Sequence, residues 1–342
     1  MTTVPHFYSS TLAFSYPGSS HPGMKALAKR YIPMTRSRDL DCGLTLVFAH
    51  CAGSHKEVWE PIIETLFSQC SPVIREAWSL EWQNHGESAN MNCSVIESGR
   101  PGVSITEWEA ALRYFVLLKA QEGHCLVGIG HSAGACAIVR STMVPRCAQM
   151  PYVAIVIIED AFGTREAWAE QGELLQNSLD LVMKAIEKRR DVWADRKDAH
   201  DSLSKRQPWK FWDKRMLDLF VRHGLRDALP FGSDQPTVTL ACSKQGEKAV
   251  YADNNNEPYR EASDHIASLD RSFPVHYVYG EKEDVIPHSL HQRVMASRRM
   301  ASIHSLPGAG HFAIQENPNA VVSCLESILK DTAEHLPSRY KL

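Results

Sequence analysis

The chain has 342 residues, a formal net charge of −3 and 44% hydrophobic residues. That charge leaves no basic footprint for a nucleic-acid partner, and the length suits an α/β domain carrying an insertion. The longest apolar run, Val153 to Ile158, is far too short to cross a bilayer, so no membrane span is expected.

The first residues lack a basic start followed by a long apolar stretch, so they do not read as a secretory signal. Leu44 to His50 (LTLVFAH) is a run of near-continuous apolar residues, as a sheet buried on both faces demands. Val73–Leu80, His124–Gly130 and Tyr152–Glu159 are the next predicted strands, and Val275–Gly280 and Ala301–Pro307 close the series. Helical patterns between these strands predict a mostly parallel central sheet flanked by helices. The last helix is marked by Asn317 as its cap, Pro318 in its first position, and Val321, Leu325 and Ile328 on one face.

Between Phe162 and Phe273 no core strand stands out. This polar interval carries Trp168, Trp193, Trp209 and Trp212, more large aromatics than a solvated elaboration needs. It reads as a mostly helical lid at 162–272, inserted between two parts of one core at 1–161 and 273–342. The nine cysteines are odd in number, scattered and without a C-x-x-C pair, which points to reduced thiols in an intracellular protein. No histidine or cysteine clustering has the spacing of a metal site, and His50 and His55 read as braces for their loop.

Chemistry enters at GIGHSAGACAIV, residues 128–139. Gly130-His131-Ser132-Ala133-Gly134 follows G-x-S-x-G, between an apolar strand and an Ala-rich helix. On so sharp a turn, side chains two positions either side of the serine would collide. Glycines there let its hydroxyl project above the sheet, with helix N-terminal N–H groups facing the same space. Serine needs a base, and His311, in a Gly-containing loop after the last strand, fits the chain order serine, acid, histidine. Two positions compete for the acid: Glu283 after Val275–Gly280, with Asp284 beside it, and Glu159 after the fourth strand, with Asp160 beside it. Glu159 and Glu283 are nearly even, and the two aspartates rank below them. An oxyanion hole would take the backbone N–H of Ala133 and that of Ala52, in the loop after the first core strand.

Three blocks, VFAHCAGSHKEVWEPIIETL, EAWSLEWQNHGESANMN and GIGHSAGA, resemble the fungal α/β-hydrolases that include peroxisomal serine hydrolases and enzymes of toxin gene clusters. The resemblance covers Leu44 to Phe162 and, more loosely, Val275 to Pro318. It implies an α/β-hydrolase fold with a helical lid, no cofactor, and a Ser-His-acid triad on Ser132 and His311. His50-Cys51 stands where that family has His-Gly, and Glu159 matches a familiar feature of it. Its members often end in a peroxisomal tripeptide. The C-terminal Tyr340-Lys341-Leu342 fits that signal at two positions, which leaves peroxisome and cytosol both open.

The expected activity is cleavage of an ester, lactone or thioester of a medium-sized apolar small molecule, polyketide-like or acyl, through an acyl-enzyme. The alternative keeps the site and changes the outcome: cyclisation, acyl transfer, C–C cleavage or epoxide opening in secondary metabolism. The sequence leaves the oligomeric state open.

Overall fold

The computed structural model describes residues 6–34, 43–70, 73–97, 102–145, 149–229, 235–252 and 256–336; the C-terminal tripeptide, Cys42 and Cys147 lie outside them. The strands are β1 (Phe7–Phe14), β2 (Ala26–Pro33), β3 (Leu44–Ala49), β4 (Ile74–Glu81), β5 (Cys125–His131), β6 (Tyr152–Ile158), β7 (Val192–Trp193), β8 (Leu225–Ala228), β9 (Thr237–Leu240), β10 (Val275–Gly280) and β11 (Ser302–Leu306). Eight of them form one sheet in the order β1-β2-β4-β3-β5-β6-β10-β11. β2 is antiparallel to both of its neighbours, and every pair from β4 to β11 is parallel.

The apolar strands divide their side chains with period two between two cores. Leu44, Leu46 and Phe48 of β3, with Ala154, Val156 and Ile158 of β6, join the helices Glu60–Gln69 and Pro318–Glu334 on one face. Val47 and Ala49, with Ile155 and Ile157, join Ile105–Gln121, Ala133–Ser141 and Glu257–Ser268 on the other. Helices on both faces explain why these strands read as continuous hydrophobic runs. Asn317 caps the final helix by accepting the Ala320 N–H at 3.1 Å, with Pro318 in its first turn.

β1 and β2 had no counterpart among the expected strands. β1 lies at the sheet edge with nearly all of its residues exposed, so it needs no apolar run. β2 carries Lys29 and Arg30, whose charges are met by Glu60 and Glu76 rather than by solvent alone. Between β6 and β10 the chain is mainly helical, with helices at Arg165–Lys188, Arg196–Leu203, Lys214–His223, Lys244–Ala252 and Glu257–Ser268. It also forms a small antiparallel sheet, β7-β9-β8, which the helical reading of this interval did not contain. Trp193, Trp209, Leu217 and Phe220 make a separate apolar cluster there, whereas Tyr259, Ala262 and Ile266 of the last helix pack into the main core. No helix among the described residues is long and apolar enough to cross a membrane.

Candidate active site

The parallel strands deliver the singled-out residues to one edge of the sheet. Ser132 follows β5, Glu159 follows β6, the loop with Ala52 follows β3, and His311 follows β11. These are all carboxyl ends, where open α/β sheets build their sites. Ser132 has φ +54° and ψ −120°, so the turn from β5 into the helix Ala133–Ser141 is strained. Close approach explains the flanking glycines. A Cβ on Gly130 would lie 2.5 Å from the Ala135 Cα, and one on Gly134 only 2.2 Å from the Ala49 carbonyl oxygen. Both obstacles are backbone, so neither can swing aside.

His311 Nε2 lies 3.0 Å from Ser132 Oγ, and His311 Nδ1 lies 3.2 Å from Glu159 Oε2. All three residues are buried. Glu159 has φ +48°, and the backbone N–H of Gly280 donates to its other oxygen, Oε1. The structure therefore brings Glu159, not Glu283, to the imidazole. Glu283 is exposed, and its carboxylate faces His288 Nδ1 at 3.9 Å, because the loop after β10 turns it outward. Its neighbour Asp284 does reach the histidine loop, but through backbone: Oδ1 accepts the His311 N–H at 2.9 Å. Asp160 accepts from the Tyr277 hydroxyl, and its Oδ1 lies 3.0 Å from His291 Nδ1.

Two further histidines hold this arrangement, and neither was singled out for it by sequence. His131, beside the serine, donates from Nε2 to the His311 carbonyl at 2.7 Å. Burial pushes its pKa down to about 3, which keeps it neutral. His291 lies behind Glu159, with Nδ1 3.0 Å from Asp160 Oδ1 and Nε2 3.6 Å from Glu159 Oε1. Burial alone would depress its pKa, but the two carboxylates outweigh burial and hold it up at about 10. The reverse holds for Glu159: burial disfavours its charge, yet His291 and His311 hold it well below the usual carboxylate range.

These opposite shifts predict the pH dependence of folding. The Glu159 contribution is present above its unfolded value of about 4.5 and is lost as pH falls through its depressed pKa. The His291 contribution is complete below its unfolded value of 6.5 and disappears as pH rises toward about 10. His291→Asn should therefore melt earlier than wild type near neutrality, with the two melting temperatures converging toward pH 10. Thermal melts across that range decide it; a difference that stays constant with pH would rule the linkage out.

On the other side of Ser132, Ala133 is the first residue of its helix, so its N–H has no intrahelical acceptor. Ala52 lines the same cavity as Ser132 and Ala133. Its loop is fixed from below. His50 donates from Nδ1 to the Cys51 carbonyl at 2.8 Å and accepts the Trp82 N–H on Nε2 at 3.1 Å. His85 Nε2 accepts the Gly53 N–H at 2.9 Å. The left-handed residue of this loop is Gly53, with φ +73°, so a cysteine at position 51 introduces no such strain. The Cys51 sulfur accepts from the Gln315 amide at 3.5 Å.

Ser132, Ala133, Ala52 and His311 open into a cavity of about 460 Å³, lined mostly by apolar side chains. The helix Arg165–Lys188 contributes Leu175, Leu179, Val182 and Ile186 to its wall. Of the four tryptophans between Phe162 and Phe273, Trp168, Trp209 and Trp212 line the cavity, while Trp193 packs within the small sheet's core.

The model of the Alpha/beta hydrolase family matches residues 46–323, which spans the core on both sides of the interval as well as the interval itself. The chain belongs to the alpha/beta hydrolase family. A type I acyl-CoA thioesterase of Penicillium brevicompactum is 25% identical to this alpha/beta hydrolase over 235 residues, 66% of this chain and 51% of that protein. The chain thus spans about half the length of that curated relative. An abhydrolase domain-containing protein of Alternaria alternata is 29% identical over 127 residues, 37% of this chain and 44% of that protein. A 2-succinyl-6-hydroxy-2,4-cyclohexadiene-1-carboxylate synthase of an Enterobacter strain is 40% identical over 65 residues, 19% of this chain and 23% of that protein. Among solved structures, the peroxisomal alpha-beta-hydrolase of Saccharomyces cerevisiae superposes with a TM-score of 0.75 at 16% identity, covering 98% of this chain and 92% of that one. That likeness carries the α/β-hydrolase fold.

Proposed function

We propose that this alpha/beta hydrolase is a serine hydrolase that cleaves an ester or thioester of a medium-sized apolar acyl group through an acyl-enzyme. The observation that carries this reading is the continuous relay from Ser132 Oγ through His311 to Glu159, with contacts of 3.0 and 3.2 Å. In this mechanism Ser132 Oγ attacks the acyl carbonyl as His311 Nε2 takes its proton. Glu159 holds the ring with Nδ1–H toward itself and stabilises the imidazolium that forms. The N–H groups of Ala52 and Ala133 receive the oxyanion, each such donor accounting for about 10²–10³ in rate. His311 then protonates the leaving group, and the same base activates water to release the acid.

The interval 162–272 acts as a lid in this reading: its Leu175, Leu179, Trp209 and Trp212 wall an apolar chamber above the serine. The thioesterase relative from Penicillium brevicompactum supports a thioester as one substrate form. The synthase relative favours a second reading, in which the same site carries out non-hydrolytic chemistry: cyclisation, acyl transfer, C–C cleavage or epoxide opening. p-Nitrophenyl and thioester substrates from acetyl to dodecanoyl separate the two. Hydrolysis is expected for both, with kcat/KM rising as the acyl chain fills the cavity. Intact substrate across the whole series would remove the hydrolase reading.

A further inference from the structure

The cavity has a buried floor and an exposed rim. Cys51, Ser132, Ala133 and His311 at its base are buried, whereas Lys188 and Arg206 on its lining are exposed. The charged side chains lining it are Lys188, Arg189, Arg206 and Glu247, so cations outnumber carboxylates in a protein whose net charge is −3. Arg189 and Glu247 answer each other: the two terminal nitrogens of the Arg189 guanidinium, Nη1 and Nη2, donate to the Glu247 carboxylate, Nη1 at 3.3 Å. Lys188 and Arg206 have no carboxylate partner among the described residues.

The surroundings make this notable. Nearby cations are used: Lys248 pairs with Glu187 at 3.4 Å, Lys244 with Asp191 at 3.2 Å, and Arg190 with Asp198. Nor is Lys188 needed to neutralise the end of its own helix. Lys244 Nζ already donates to the carbonyls of Glu187 at 3.3 Å and Arg189 at 3.2 Å. Two cations without a carboxylate partner among the described residues thus stand at the exposed part of an apolar chamber's lining, whose low-dielectric walls focus their field on whatever enters.

We propose that Lys188 and Arg206 form an anion-recognising rim, so that the substrate is an amphipathic ester or thioester whose apolar acyl part fills the cavity while a phosphate or carboxylate group stays at its mouth. This rests on the reading of Ser132 as nucleophile, but it is tested by binding, without turnover. Arginine can grip either anion through two parallel N–H bonds, with lysine adding a point charge.

The test uses Ser132→Ala protein with decyl phosphate, undecanoate and decanol, ligands that carry the same decyl chain and differ only in the head group. Binding is followed by fluorescence of the cavity-lining tryptophans and by calorimetry. At low salt at least one anion should bind about tenfold or more tighter than decanol, and the advantage should shrink as salt is raised. Whether phosphate or carboxylate leads identifies the group the rim accepts. In Ser132→Ala/Lys188→Ala/Arg206→Ala protein the advantage should fall to within about threefold, and both sites are exposed enough that folding should be retained. Equal binding of all three ligands would overturn the proposal. So would an anion preference that survives the triple variant, because the head group would then be held at the Ala52 and Ala133 N–H groups. Failure of the hydrolase reading would appear separately, as absent turnover of the neutral esters by wild type.

Discussion

Ser132→Ala is expected to lower kcat/KM for ester or thioester cleavage by at least about 10⁴-fold, with the fold intact. The substitution removes the Oγ that lies 3.0 Å from His311 Nε2 and nothing else from the elbow. Stability should change little. Alanine suffers the same positive φ as serine, and no side-chain cap hydrogen bond is lost at the helix N-terminus. Activity is therefore to be read beside a melting curve. A variant that melts like wild type and still turns over at a comparable rate would remove Ser132 from the chemistry. Residual activity of a few thousandfold over water fits the account, because the Ala52 and Ala133 N–H groups and the cavity remain.

The second large effect separates the two glutamates. Glu159→Gln should lower kcat by about 10³–10⁴-fold, whereas Glu283→Gln should stay within about twofold of wild type. An amide at position 159 keeps the shape but loses the charge. One of its two atoms must still accept the Gly280 N–H, which leaves the NH₂ group facing His311 Nδ1. That favours the ring tautomer in which Nε2 carries the proton, and such a ring cannot accept one from Ser132. Glu159→Gln should also destabilise the protein, since it leaves the buried His291 with Asp160 as its remaining carboxylate. The comparison is made with both variants on one substrate across pH. Equal losses from the two, or a larger loss from Glu283→Gln, would reverse the assignment of the acid.

Burial on both faces is what made the core strands readable. β3, β5, β6 and β10 are mostly apolar and buried because helices cover both sides of the sheet, and their observed ends lie within about a residue of the expected ones. β1 and β2 escaped because an edge strand and its charged neighbour satisfy their side chains with solvent and salt bridges. The short strands β7, β8 and β9 run two to four residues, too few for any alternation to register.

Within the site the same logic holds at finer scale. Ser132 was legible because its constraint is local: glycine is needed where a Cβ would strike backbone of the same turn or of β3. The acid was not legible, since Glu159 and His311 meet across 152 positions of sequence. Glu283 sat in an equally suitable loop, and only the turn after β10 decides that its carboxylate faces solvent. His291 carried no local signal at all. Its place beside Asp160 and Glu159 arises from long-range contacts, which include the ring of Tyr277 in β10. Lys188 and Arg206 lie 18 positions apart with no motif joining them, and folding sets both in the lining of one cavity.

The central claim, an activated serine at position 132, is tested most directly by intact-mass spectrometry after exposure to a fluorophosphonate. Wild type should gain a single adduct, Ser132→Ala none, and His311→Ala one that forms far more slowly. An adduct that persists in Ser132→Ala, or a wild-type protein that stays unlabelled while folded, would contradict the account.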